Sequence, residues 1–244
     1  MDARVRWHVG RAPGLDGLAQ RHGAARLSRP LPLIQRKRRA FTPVYPTEAG
    51  PGGRRILLIQ GHSDPQPSHF GHALAAAYTA AAREAGHLLD TVTVATLDFP
   101  LLRTQADWDG GEVPPALAPV QQAILRAEHL VIFFPLWLGG MPALLKGFFE
   151  QVARPGFAIE ASGGMGWNKL LGGRSARLVV TMGMPAIVYR WVFQAHSLKA
   201  LERNILGFTG ISPVHETLVG SVEGSEKGRQ RWLAKLADLG AQGV

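Results

Sequence analysis

Three short segments carry groups able to do chemistry, and each joins a strand pattern to a helix pattern. The first is Gly61-His62-Ser63-Asp64-Pro65-Gln66-Pro67-Ser68-His69, immediately ahead of an alanine-rich helical stretch that opens with Phe70 and Gly71. A helix N-terminus presents unpaired N–H groups and the positive end of its dipole, so it favours an anion such as a phosphate. Ser68 places a hydroxyl beside those amides, and His62 offers an imidazole N–H, or a positive charge below about pH 6.5. A purely structural reading stays open, in which Ser68 caps the helix and His62 bonds within its own turn.

The second segment is Pro135-Leu136-Trp137-Leu138-Gly139-Gly140. Glycines beside a tryptophan let backbone amides approach a planar heterocycle while the indole stacks on it, although core or interface packing would also account for Trp137. The third, Met182-Gly183-Met184-Pro185 after Thr181, offers a hydroxyl and amides to the opposite side of the same crevice.

Other chemistries lose their signatures. The chain has no cysteine, which removes disulfides, thiolate metal sites, iron–sulfur ligation and a cysteine nucleophile. There is no G-x-x-x-x-G-K-[ST] and no G-x-S-x-G, and Gly164-x-Gly166 lacks a third glycine and a preceding strand. His69 and His72 are three apart, but no carboxylate or third histidine stands close enough in sequence to suggest a metal site. No metal is expected.

Alternating elements must position the three segments. Ile56 to Ile59 is a continuous apolar run of the kind buried on both faces of a parallel sheet. Phe70 to Ala85 follows as a helix, with Phe70, Leu74, Ala77, Tyr78 and Ala81 on one face. Val92 and Val94 mark a second strand, Pro119 to Ala127 a helix, and Leu130 to Phe134 a third strand. Pro142 opens a helix whose stripe is Leu144, Leu145, Phe148, Phe149 and Val152. Ala176 to Thr181 is a fourth strand, Val188 to Ile205 a helix, Pro213 to Val219 a fifth strand and Glu226 to Ala241 a closing helix. This βαβ alternation predicts an α/β, three-layer sandwich with a five-stranded parallel sheet of order 2-1-3-4-5. In such a sheet ligands bind beyond the carboxyl ends of the strands, where the order reverses, and the three segments meet there.

Composition divides the chain. Of 244 residues 46% are hydrophobic and 18% charged, enough apolar material for a packed core. Residues 1–53 hold ten Lys and Arg against three Asp and Glu, which is +7 of the formal +9. The basic balance therefore belongs to a Gly- and Pro-rich N-terminal extension, expected to be disordered, and no nucleic-acid partner is expected for the nearly neutral domain of residues 54–244. Asp2, Asp16 and the many glycines and prolines argue against a transit peptide, and no apolar signal core is present, so a cytoplasmic location is expected. Leu130 to Leu145 is uncharged for sixteen residues, short of a membrane span and broken by Pro135, Gly139, Gly140 and Pro142.

The run Leu130-Val131-Ile132-Phe133-Phe134-Pro135-Leu136-Trp137, continuing through Pro142 to Val152, resembles the core motif of the NAD(P)H:quinone oxidoreductases with a flavodoxin-like fold. Gly61 to Pro65, Ser68 to Phe70, Phe99-Pro100-Leu101 and Thr181 to Gly183 followed by Tyr189 stand in the same order, so the resemblance covers about residues 54–240. It implies a flavin, FMN with FAD as the alternative. His62, Ser68, Phe70 and Gly71 would lie at its phosphate, and Pro135, Leu136, Trp137, Leu138, Thr181, Met182, Gly183 and Met184 against its ring. It further implies NAD(P)H as co-substrate, a quinone or similar small acceptor, and a homodimer.

Tyr189, six residues after Gly183, matches a tyrosine that donates a hydrogen bond during hydride transfer in some members. His196 lies one residue past the matching histidine position, where Ala195 stands, and Gly71 replaces an asparagine of many relatives. A second function class comes with the resemblance: a flavin-binding, redox-sensing regulatory subunit of an ion-efflux system, with a peripheral membrane partner.

Overall fold

The computed structural model describes residues 49–50, 52–162 and 166–244. The extension ascribed to residues 1–53 lies almost wholly outside the described residues, as does Gly164. The sheet runs in the order β2 (Leu88–Thr93), β1 (Arg55–Gln60), β3 (His129–Pro135), β6 (Ser175–Thr181), β7 (Val214–Val219), all parallel. The reversal falls between β1 and β3, as the 2-1-3-4-5 order requires. A two-stranded antiparallel hairpin, β4 (Ile159–Ala161) and β5 (Trp167–Lys169), is inserted before β6.

Side-chain alternation divides the core into two layers. Leu57, Ile59, Leu130, Ile132, Phe134, Leu178 and Val180 face α3 (Ala118–Arg126) and α4 (Ala143–Val152), and Leu145 and Phe148 enter this layer fully buried. Ile56, Leu58, Val131, Phe133 and Val179 face α1 (Phe70–Glu84) and α8 (Glu226–Ala241), against Leu74, Tyr78 and Leu236. Helices α1 and α8 pack tightly because Gly240 sits directly on the Tyr78 carbonyl, where a Cβ would come within 2.3 Å of the oxygen.

Two elements differ from the sequence reading. Val94 is not in a strand but opens a single 3-10 turn, Val94–Thr96. The helix expected over residues 188–205 is broken: α5 (Ala186–Trp191) ends, Gln194 and Ala195 take left-handed φ of 53° and 49°, and α6 (His196–Ala200) restarts. A π-helical turn, Leu201–Leu206, and the short α7 (Gly207–Thr209) complete the connection to β7. Gln105–Gly110 forms a further short helix, α2, with the Thr104 side chain accepting from the Asp107 amide.

Candidate functional site

The loops after β1, β3 and β6 meet at the carboxyl end of the sheet. Gly61 begins the first. Its N–H donates to the Phe133 carbonyl at 2.7 Å, and a Cβ there would lie 2.6 Å from the Leu145 side chain, so only glycine lets α4 pack beneath the turn. The loop then folds on Asp64. The Asp64 backbone engages Nδ1 of His62, its N–H at 3.0 Å and its carbonyl at 3.1 Å, and one Asp64 oxygen accepts from the Gln66 N–H at 3.0 Å. The other carboxylate oxygen is 2.8 Å from Nε2 of His69, and that hydrogen bond holds the Asp64 carboxyl below the usual carboxylate range. Asp64 therefore consumes one nitrogen of His62 and one of His69.

Ser68 does not cap α1. The cap position belongs to His69, whose side chain turns to Asp64 instead of the helix amides. The Phe70 and Gly71 N–H groups thus have no protein acceptor among the described residues. Uncapped amides at a helix start form an anion site. Ser68 is exposed and its hydroxyl makes no hydrogen bond to the described residues.

His62 and His69 stack at a centroid distance of 4.1 Å, with His72 at 5.4 Å and 5.8 Å from them. Sequence reasoning missed this trio because His62 is remote from the other two along the chain. Yet the rings lie against one another, and among the described residues no group of three His, Asp or Glu side chains is placed to hold a metal ion. Burial, and then the neighbouring His69, lower the His62 pKa below the ordinary histidine value; burial, and then His62 and His69, do the same for His72. Both ring nitrogens of His72 are buried without a partner.

The first and second loops touch through His62 and Trp137, edge to face at 5.5 Å and 78°. The second loop is a tight hairpin turn. Trp137 and Gly140 exchange both backbone hydrogen bonds at 2.9 Å, around Leu138 and Gly139 with φ of 47° and 77°. Two successive left-handed residues make this a type I′ turn. The third loop joins at two points. The Leu136 N–H donates to the Thr181 carbonyl at 2.8 Å, and a Cβ on Gly71 would lie 3.8 Å from Thr181 Oγ1. Residues 219–222 hold the third loop from behind, with the Ser221 and Val222 N–H groups donating to the Met184 and Met182 carbonyls.

This wiring determines which amides are available. Those of Leu136 and Trp137 are taken, whereas Leu138, Gly139, Gly183 and Met184 have N–H groups without a protein acceptor among the described residues. Pro135 carries no N–H. The Met182 side chain lies in the core, so its contribution to the crevice is backbone alone. Trp137 is half exposed, with one face available.

Tyr189 differs most from its expected role. It is 2% exposed, and its hydroxyl is 2.8 Å from Ser197 Oγ, which in turn donates to the Gly139 carbonyl. With the Ser197 proton committed to Gly139, the tyrosine must donate to Ser197, and no proton is left for a substrate. Tyr189 and Ser197 brace the type I′ turn. His196 is exposed and makes no hydrogen bond to the described residues.

Comparison with known proteins follows the same lines. A family model described as flavodoxin-like fold matches residues 54–242. The Ruegeria pomeroyi FMN-dependent NADH:quinone oxidoreductase is 32% identical over 69 residues, 28% of this chain and 34% of that protein. The Cronobacter sakazakii glutathione-regulated potassium-efflux system ancillary protein KefG is 42% identical over 71 residues, 29% of this chain and 36% of that protein. The NAD(P)H:quinone oxidoreductase structure from Methanothermobacter marburgensis superposes with a TM-score of 0.65 at 22% identity, over 79% of this chain and all of that one, a likeness of fold. The matched segments span little more than half, or less, of the length of the curated relatives. Among the described residues no helix is long and apolar enough to cross a membrane.

Proposed function

The chain belongs to the flavodoxin-like fold family, and from that premise we propose that it is a flavin-dependent NAD(P)H oxidoreductase acting on quinone-type acceptors. One observation carries the reading: the bare N-terminus of α1, the Trp137 face and the free amides of Leu138, Gly139, Gly183 and Met184 surround one crevice. That donor set fits a flat heterocycle with carbonyl and ring-nitrogen acceptors on a phosphorylated stem. Gly71, with ordinary contact distance to Thr181, leaves the stem room to approach the helix backbone.

FMN is the cofactor we favour. Its phosphate would be held by the Phe70 and Gly71 amides and by Nε2 of His62, the nitrogen that Asp64 leaves free. When bound, a flavin supplies two-electron hydride chemistry between NAD(P)H and a quinone. The chain's own part is to orient both partners against Trp137 and to direct amide dipoles at the ring edge, which stabilises negative charge. One feature favours the FAD alternative. A cleft of about 230 Å³ opens beside Phe70, bordered by Ser221, Val222, Ser225, Arg231 and Trp232, and could take an adenosine.

The likeness to KefG favours a second reading, a regulatory flavoprotein of an ion-efflux system with incidental turnover. Homodimerisation is part of the proposal. The aromatic cleft formed by Trp108, Phe149 and Phe208, with Trp167 beside it, shares no residue with the crevice loops and is the face we assign to the second subunit. The test is the visible spectrum of the purified protein with added FMN or FAD, followed by NAD(P)H oxidation with a quinone. A perturbed flavin spectrum with steady turnover supports the enzyme. A bound flavin with negligible turnover supports the regulatory reading, and an unperturbed spectrum rejects both.

A further inference from the structure

Two strained turns stand beside the crevice, and both present apolar side chains to solvent. In the type I′ turn Leu138 occupies a left-handed position that glycine or asparagine fills without strain, and its side chain is fully exposed. In the break between α5 and α6, Gln194 and Ala195 are both left-handed, and the segment ahead of them exposes Trp191 (75%), Val192 (69%) and Phe193 (53%). Strain combined with exposed apolar surface is doubly unfavourable, and backbone outliers of this kind persist where the conformation serves a site.

The two turns form one unit. Ser197 Oγ donates to the Gly139 carbonyl, a Cβ on Gly140 would lie 3.7 Å from Ser197 Cβ, and Tyr189 holds Ser197 from the core side. The unit is continuous with the crevice, because Trp137 is both the first residue of the type I′ turn and the ring that meets His62.

We propose that Leu138, Trp191, Val192 and Phe193 form a subsite for an apolar tail on the acceptor, so that the preferred quinones carry a long alkyl or prenyl chain. This rests on the quinone-reducing reading above, and it adds a substrate class to it. Tail burial scales with apolar area removed from water, so even partial coverage of a ten-carbon chain gives a large factor in affinity.

The experiment compares 2,3-dimethoxy-5-methyl-1,4-benzoquinone with its 6-decyl derivative, which shares the head group. Affinity is read from quenching of tryptophan fluorescence in oxidised, NAD(P)H-free holoprotein, and kcat/KM is read separately with NAD(P)H. The decyl quinone should bind at least tenfold more tightly. In Trp191→Ser/Phe193→Ser that advantage should shrink to about threefold or less, with binding of the tail-less quinone unchanged. Leu138→Asn, which suits a type I′ turn and should fold at least as stably, should also reduce the tail preference.

Equal affinity for the two quinones, or a preference untouched by these variants, overturns the subsite. So does a shift from dimer to monomer in the double variant with the preference intact, because the patch is then a subunit contact. If the tail preference and its loss are found but neither quinone is reduced, the reductase reading fails and the subsite stands. If both quinones are reduced equally well, the reading stands and the subsite fails.

Discussion

Gly71 on α1 faces Thr181 at the end of β6 so closely that a Cβ on the glycine would lie 3.8 Å from the threonine hydroxyl. The gap is wide enough for a methyl group and too narrow for a branched side chain plus a phosphorylated stem. Gly71→Ala should therefore bind FMN within about threefold of the parent, and Gly71→Val should lose at least about tenfold, with far-UV circular dichroism unchanged in both. Equal FMN affinity in Gly71→Val would place the stem elsewhere.

Tyr189 supports a prediction that separates a brace from a proton donor. Because its hydroxyl proton is directed at Ser197, Tyr189→Phe should cost about 1 kcal/mol of stability and reduce kcat by less than about tenfold. A donor to the reacting acceptor would be worth about a hundredfold or more in kcat. Thermal melts and steady-state rates on the same samples decide between the two.

The histidine trio makes anion binding depend on pH. His62 and His72 are held below the ordinary histidine value by burial first, so both are neutral at pH 8. A bound phosphate dianion favours their protonated forms and raises their pKa values, so binding takes up protons. FMN affinity should rise as pH falls from 8 toward 6.5, and His62→Gln should flatten the slope. Isothermal titration in two buffers of different ionisation enthalpy would show the proton uptake directly.

Acid stability should follow a different histidine. His129 is 1% exposed in β3, bonds Ser175 Oγ at 2.8 Å through Nδ1, and is pushed down to about 4, first by burial and then by Arg177. The unfolded chain takes up this proton near pH 6.5 and the folded chain only near 4, so its stabilising effect is complete above pH 6.5 and is lost as pH falls toward 4. The loss is about 3 kcal/mol. Tm should fall across that window, and His129→Gln should make it shallower.

The sheet order was legible because each strand is an apolar run bounded by turn residues, and the amphipathic helices between them leave few alternatives. The three crevice loops were legible for the same reason, since strand ends define them. Less could be read where no local signal exists. Gln194 and Ala195 are ordinary helix residues, so nothing in the sequence marks the left-handed break between α5 and α6. The hairpin of β4 and β5 has only three residues per strand, too few for periodicity to register.

Within the site, His62 and Trp137 could be named from position alone, whereas Asp64 could not. Its role depends on a fold-back that brings His69 to its carboxylate. Ser68 failed as a cap because that same hydrogen bond places His69 at the start of α1. Ser197 had no motif, and only the turn of the chain brings it to Gly139.

Flavin titration of the purified full chain tests the central claim most directly. FMN fluorescence should be quenched stoichiometrically, at one flavin per chain, with a dissociation constant in the micromolar range or below, and Trp137→Ala together with Gly71→Val should abolish the quenching while leaving the fold intact. Flavin fluorescence that stays unchanged at saturating protein, with FMN and with FAD alike, would contradict the convergence of the three loops on one flavin.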